Sequence, residues 1–212
     1  MFDIIEKNKK IIQCYKEDQN RYINLIIGTS LEIKTLGDVC FFNPRSIKTG
    51  DNYEEINYID ISSVKEGSLK EIKNLKEDFP SRAKRIIEKN DILYSTVRPN
   101  LKGYVYMNEI VNNCIASTGF AQIRVKDEKT TLSKFIYYII IEEKILNLVV
   151  NKAKGAQYPA ISVDDLLDVV IPIPSKEKQE KIVNYCDHIE EKIKEIEMEI
   201  EKHKELINDF LE

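Results

Sequence analysis

The sequence predicts an α+β protein: a mixed α/β globular body followed by one long C-terminal helix of coiled-coil character. Three observations lead there. Between Leu31 and about Phe120, short apolar and aromatic runs alternate with Asn, Gly, Ser and Pro, the texture of strands and turns. The first 27 or so residues and the region after Leu132 hold longer stretches with few breakers, the texture of helices. From Ile182 to Phe210 apolar residues recur at alternating spacings of four and three, a heptad pattern.

Residues 1 to about 27 read as a helix with Phe2, Ile5 and Ile12 on one side, stopped by "GTS" (28–30). Strand-length runs follow. "DVCFF" ends at "NPRS", "NYIDIS" at "SVKEGS", "DILYSTV" at "RPNLKG" before "YVYM", and "GFAQIRV" at "KDEKT". The stretch 132–155 is too long for a strand, and Leu132, Phe135, Ile139, Leu146 and Val150 fall near one face. With Lys152, Lys154 and Gly155 as its C-terminus, it reads as a single helix. Ser162 followed three residues later by Asp165 is a capping box opening the short helix "DDLLDV". In "VVIPIP" (169–174) the prolines cannot donate to a ladder, which suits the last edge of the body. Ser175 then caps a new helix with Glu177 in its first turn. The expected domains are a helix over 1–30, a body over 31–174 and a long helix over 175–212.

The seam of that last helix comprises Ile182, Cys186, Ile189, Ile193, Ile196, Ile200, His203, Ile207 and Phe210. Two apolar positions per heptad is narrower than the stripe of a helix lying on its own domain, and it calls for one partner helix. Polar His203 within the seam sets register and is not a ligand.

Composition excludes several classes. No apolar run reaches the roughly 18 residues that span a bilayer, and "MFDIIEKNKK" has no signal-peptide pattern, so a cytoplasmic chain without a membrane partner is expected. Cys14, Cys40, Cys114 and Cys186 are far apart and read as reduced, buried thiols rather than a disulfide or zinc framework. The only histidines, His188 and His203, sit in the terminal helix, and no metal site is expected. Charge is divided unevenly: from Lys176 onward 7 Lys face 12 Asp and Glu, whereas residues 81–104 carry 6 basic and 2 acidic side chains. The tail is acidic and the body has a basic face.

Catalytic signatures fail on inspection. Asn43-Pro44 after an apolar strand begins like the site of amino-group methyltransferases, but Ser46 stands where an aromatic is needed and no glycine-rich cofactor loop follows any strand. Asp60 with Glu71 and Lys73 has the spelling of a Mg²⁺ nuclease, yet "LKEIKNLKED" is too charged for the buried strand that site needs and reads as a solvated helix or loop. No catalytic residue is expected. Binding remains. "STVRPNLKGY" presents Arg98, Asn100 and Lys102 on a Pro-stiffened turn beside Tyr94. "NPRSIKTG" offers Asn43, Arg45 and Lys48, and "KGAQYPA" offers Gln157 and Tyr158. Arg and Asn read guanine and adenine edges in pairs of hydrogen bonds, and Lys serves phosphates, so these three turns are candidate DNA contacts.

The same residues carry a family resemblance. Gly155 with its polar loop, "AIS" (160–162), "LLDVVIPIP" (166–174), Gln179 and Ile182 resemble the passage from recognition domain into conserved helix in type I restriction–modification specificity subunits. "LGDVC" (36–40) resembles the start of such a target recognition domain, and "NDILYSTVRPN" (90–100) its internal strand and turn. The N-terminal helix resembles the end of a preceding conserved helix. The resemblance implies a subunit that reads double-stranded DNA without chemistry or cofactor of its own. It would position methyltransferase subunits, which bind S-adenosylmethionine, and through them the restriction endonuclease subunit. Family members carry two recognition domains held apart by antiparallel helices; this sequence holds one, in a half-length form. Either a homodimer through the C-terminal helix restores the second, which is the expectation, or the chain is a truncated or exchangeable half. About 37 helical residues span on the order of 55 Å. DNA advances roughly 34 Å per turn, so two such bodies could read the halves of an interrupted inverted repeat. The competing reading is a coiled-coil module that binds protein and not DNA.

Overall fold

The computed structural model describes residues 2–28, 30, 32–48, 50–153 and 159–211. In chain order the elements are α1 (Phe2–Ile27), β1 (Ile33–Thr35), α2 (Leu36–Val39), β2 (Cys40–Phe42), β3 (Ile56–Ile59), β4 (Val64–Lys65), β5 (Ser68–Leu69) and β6 (Lys73–Leu75). Then come β7 (Ala83–Ile86), β8 (Ile92–Ser95), β9 (Tyr104–Tyr106), β10 (Cys114–Ser117), β11 (Phe120–Val125), α3 (Ser133–Ile141), α4 (Glu143–Lys152), α5 (Val163–Leu167), β12 (Val170–Pro172) and α6 (Lys176–Leu211). They form two compact units, Met1–Leu31 with Pro174–Glu212, and Glu32–Ile173.

In the first unit α1 runs antiparallel along α6. Asn8 Nδ2 donates to Glu199 Oε2 at 3.4 Å, and Tyr22 stacks on Tyr185 with ring centroids 4.0 Å apart, so rising numbers in one helix meet falling numbers in the other. Ile182, Cys186, Ile189, Ile193 and Ile200 are buried, and Ile196, His203 and Ile207 are half-buried; the side chain of Phe210 lies outside the described residues. The seam thus has its partner helix within the same chain. This corrects the expectation that pairing with a second copy accounts for it. The sequence concealed α1 as the partner because its inward stripe is partly polar: Ile5 and Ile23 are buried, but so is Asn8, and Lys16 and Gln19 are half-buried beside Ile12. His203 Nδ1 lies 2.7 Å from the Glu199 carbonyl one turn back, a local contact that needs no metal.

The second unit contains two four-stranded sheets, ordered β6-β3-β10-β7 and β2-β11-β8-β9. Strands β3 and β10 are parallel; all other pairings are antiparallel. Alternation sends Ile59, Cys114 and Ala116 from the first sheet and Leu93, Val105 and Phe120 from the second into one shared core. The opposite face of the first sheet buries Ile56, Tyr58, Ala83 and Ile115. A ribbon of β1 and β12 closes the unit, with Ile33 opposite Pro172 at the end of the ladder, as expected of an edge strand that finishes in proline.

Several expectations change. The expected single helix is two helices within 133–152: Glu142 takes φ −58° and ψ 139°, which ends α3, and its carboxylate accepts from the backbone N–H of Lys144 and Ile145 to open α4. Phe135 through Ile140 are all buried, so α3 is apolar on every side and has no single inward face. Its Tyr137 packs against Tyr104 and Tyr106 of β9. "DVCFF" is a strand only from Cys40; Thr35 and Asp38 form a capping box that makes Leu36–Val39 a helical turn instead. "LKEIKNLKED" contains strand β6, which tolerates exposed Lys73 and Asn74 because it lies at the sheet edge. The capping box of Ser162 and Asp165 opens α5 as expected. Cys14 is exposed, contrary to the reading of four buried thiols. Cys40, Cys114 and Cys186 are buried, and burial pushes the Cys40 thiol up to about 12 and the Cys114 thiol to about 11. No helix among the described residues is long and apolar enough to cross a membrane.

Candidate nucleic-acid interface

Strands β2 and β8 both run antiparallel to β11 and so point the same way, with β2 ending at Phe42 opposite Ile123, the residue that pairs with Ile92 at the start of β8. The chain beyond each of them is a rigid turn bearing cations. After β2, Asn43 adopts φ 50°, a left-handed conformation that Asn tolerates. Its N–H donates to the Gln122 carbonyl at 2.7 Å and its Oδ1 accepts from the Gln122 N–H at 3.0 Å. The Asn43 side-chain oxygen is therefore committed to holding the turn. Further on, the Arg45 carbonyl accepts from the Ile86 N–H at 3.1 Å, and Ser46 bridges Arg85. Arg45 and Lys48 are exposed on this braced segment.

After β8, Ser95 Oγ donates to the Val97 carbonyl at 2.8 Å and the chain enters a 3-10 turn, Pro99–Leu101. Arg98 before it and Lys102 after it have φ 49° and 57°. Left-handed backbone costs about 1–2 kcal/mol for a residue with a Cβ, and such positions gather at working surfaces. The strain is held from several sides. The Arg98 N–H donates to the Pro159 carbonyl at 2.7 Å, the Lys102 carbonyl accepts from the Glu66 N–H at 2.8 Å, and the Gly103 carbonyl accepts from the Ser95 N–H at 2.7 Å. A Cβ at Gly103 would lie 2.9 Å from the Ser95 Cβ, so only glycine lets the turn close on the strand. Pro99 is buried beneath it, Asn100 is exposed, and Arg98 and Lys102 are half-buried.

The structure brings the end of the third candidate region to the second turn: Ala160 bridges Val97, and the Ile161 N–H just after it donates to the Thr96 carbonyl at 2.9 Å. Gln157 and Tyr158 themselves lie outside the described residues. Tyr94 is corrected. It is buried, with its ring stacked on Tyr104 at 6.3 Å and its hydroxyl pushed upward by burial, because β8 is covered on that face; it cannot touch a ligand.

A group of residues that the sequence reading passed over lies beneath the first turn. Asp91 is 0 % exposed and takes a two-pronged bond from Arg124, Nε to Oδ1 at 2.7 Å and Nη2 to Oδ2 at 2.8 Å. Gln122 Nε2 adds a third bond to Asp91 Oδ2 at 2.7 Å. Arg124 Nη1 also meets Glu88 Oε2 at 2.7 Å, and Glu88 Oε1 accepts from Arg45 Nη1 at 2.8 Å. Bonding to Arg45 and the nearby Arg124 charge hold the Glu88 carboxyl below its ordinary value. One signal was available: Gln122 and Arg124 are two polar residues on the same face of the apolar strand "GFAQIRV", and buried polar groups require partners.

The nuclease-like trio does not assemble a metal site. Asp60 Oδ1 accepts from the N–H and hydroxyl of Ser62, its Oδ2 accepts from the Tyr58 hydroxyl, and Lys73 pairs loosely with Glu71 at 3.9 Å. No group of three or more His, Cys, Asp or Glu able to hold a metal occurs among the described residues.

Comparison with known proteins agrees in one direction. The family described as "Type I restriction modification DNA specificity domain" matches residues 28–204. The HindI type I restriction enzyme specificity subunit of Haemophilus influenzae is 30 % identical over 125 residues, 58 % of this chain and 27 % of its own length. The solved HsdS subunit from Thermoanaerobacter tengcongensis superposes with a TM-score of 0.68 at 28 % identity, over 83 % of this chain and 46 % of its own. A chain from a structure of the type I R-M system, solved to describe its complex assembly and conformational transition, gives a TM-score of 0.70 at 27 % identity over 84 % of this chain and 47 % of its own. The chain thus spans about half the length of these solved relatives and less of the curated one.

Proposed function

The chain belongs to the family of type I restriction modification DNA specificity domains, and from that membership we propose that its body reads one half of a bipartite site on double-stranded DNA. The observation that carries this reading is the pair of braced, cation-bearing turns that follow strands β2 and β8 of a single sheet. Rigid turns hold side chains where base edges can be discriminated, whereas mobile lysines would give only salt-sensitive attraction. Arg45, Arg98 and Asn100 are assigned to base edges and Lys48 and Lys102 to phosphates, and Gln157 and Tyr158 are kept as candidate DNA contacts.

In this reading the chain has no chemistry and binds no cofactor. It works in the cytoplasm, positioning a methyltransferase subunit, which holds S-adenosylmethionine, and through it the restriction endonuclease subunit. A second copy of the chain supplies the other half-site reader. Support for self-association comes from apolar side chains that the helical unit leaves exposed, Ile4 and Leu25 on α1 and Met198 and Leu206 on α6. The acidic tail favours a second reading, a coiled-coil module for protein partners. DNA affinity that falls steeply with added salt separates the two.

The test is selection from random duplexes by the chain assembled with its methyltransferase subunit. A split palindrome should be enriched. Recovery of no preferred sequence would overturn the proposal.

A further inference from the structure

The ion pairs beneath the first turn assign a role to a residue outside the turn itself. Resting on the DNA-reading function just proposed, we infer that Glu88 is a specificity-determining residue, which holds the Arg45 guanidinium so that its free edge meets a guanine.

Arg45 spends one nitrogen, Nη1, on Glu88 Oε1 at 2.8 Å; among the described residues nothing engages its Nε or Nη2. Those two nitrogens form the flat donor pair that matches guanine O6 and N7. An exposed arginine on its own samples many rotamers, and ordering it on binding subtracts from discrimination. Glu88 removes that freedom in advance. Its own position is fixed from below, because its other oxygen meets Arg124 Nη1 at 2.7 Å while Arg124 is forked onto buried Asp91. The backbone is fixed as well, with the Arg45 carbonyl bonded to the Ile86 N–H at 3.1 Å. Donor direction, support and backbone are therefore all set before DNA arrives.

Glu88 is not needed to satisfy the core. The Asp91–Arg124 pair is complete without it, and Glu88 is 43 % exposed, where an ion pair adds little to stability. A carboxylate beside a phosphate-binding surface also repels DNA of any sequence. That is a disadvantage for affinity, but it suits a group whose use is discrimination. Loss of Glu88 should accordingly separate the two properties, which loss of a structural residue would not.

The experiment uses the chain assembled with its methyltransferase subunit and duplexes carrying single-base changes of the selected site. Arg45→Ala should abolish preference at one G·C pair. Glu88→Ala should relax preference at that same pair about tenfold, leave the other positions alone, and hold unrelated DNA as tightly as the parent or more so. Glu88→Gln, which keeps an acceptor for Arg45, should recover part of the preference. Thermal melting of both variants should stay near the parent. The inference is overturned if Glu88→Ala leaves that pair's preference intact, weakens every position equally, or tightens all sequences without altering preference. If the parent complex selects no sequence, the function proposed above fails and this inference with it. If it selects one and only the Glu88 variants are silent, this inference alone fails.

Discussion

Arg98 and Lys102 occupy mirror positions around one short turn, both with left-handed backbone, yet their chemistry assigns them different work. A guanidinium makes paired bonds to a base edge; an ammonium is a point charge suited to phosphate. Arg98→Ala should lose about 1–3 kcal/mol of discrimination at one base pair, read by competition between matched and mismatched duplexes. Lys102→Ala should weaken all sequences alike and reduce the slope of log affinity against log salt by about 1. Equal effects of the two would contradict the division of roles. At this scale the sequence named Arg45, Lys48, Arg98, Asn100 and Lys102 as candidates, because turn residues around a cation are visible in one dimension. It misplaced Tyr94. Whether an aromatic beside a turn faces solvent depends on what packs around it, and here Tyr94 is buried with Tyr104 stacked on it. It also missed Glu88, Asp91 and Arg124, whose pairing across 33 to 43 residues no local pattern records.

Among the elements, the break between α3 and α4 shows how one side chain sets a boundary. Glu142 is buried, and its Oε2 accepts from Lys144 N at 3.0 Å and Ile145 N at 3.4 Å. Those amides begin a new helix and would otherwise be unsatisfied. Glu142→Ala should therefore cost about 1–2 kcal/mol, lowering the melting temperature by roughly 3–6 °C, and a melting point unchanged from the parent would remove this account of the break. The break was hidden because glutamate is an ordinary helix residue and only its extended ψ reveals the cap. By contrast, the capping box at Ser162 was legible, since both of its partners are local. Edge strand β6 was misread for a related reason: charge excludes a central strand, but an edge is defined by its neighbours and not by its own residues.

For the whole chain, the pairing of α1 with α6 changes what disrupting the seam should do. Ile193 and Ile200 are both buried in the helical unit, so placing Asp at both positions puts unpaired charge into the seam that α1 accompanies. The double variant should lose helical signal in far-UV circular dichroism and melt at lower temperature, whatever its oligomeric state. Light scattering of the parent then tests self-association separately. A parent that is monomeric at all concentrations would remove the second copy from the proposed function, and a double variant with unchanged helicity would remove α1 as the stabilising partner.

The heptad seam, the strand-rich body, the capping box, the proline-ended edge and the polar turns could all be read from residue order, because each depends on neighbours a few positions away. Which helix fills the seam, which tyrosine is covered, and which carboxylate holds which arginine were settled only by the fold. Those facts depend on contacts between segments far apart in sequence, and periodicity or spacing along a single chain carries no record of them.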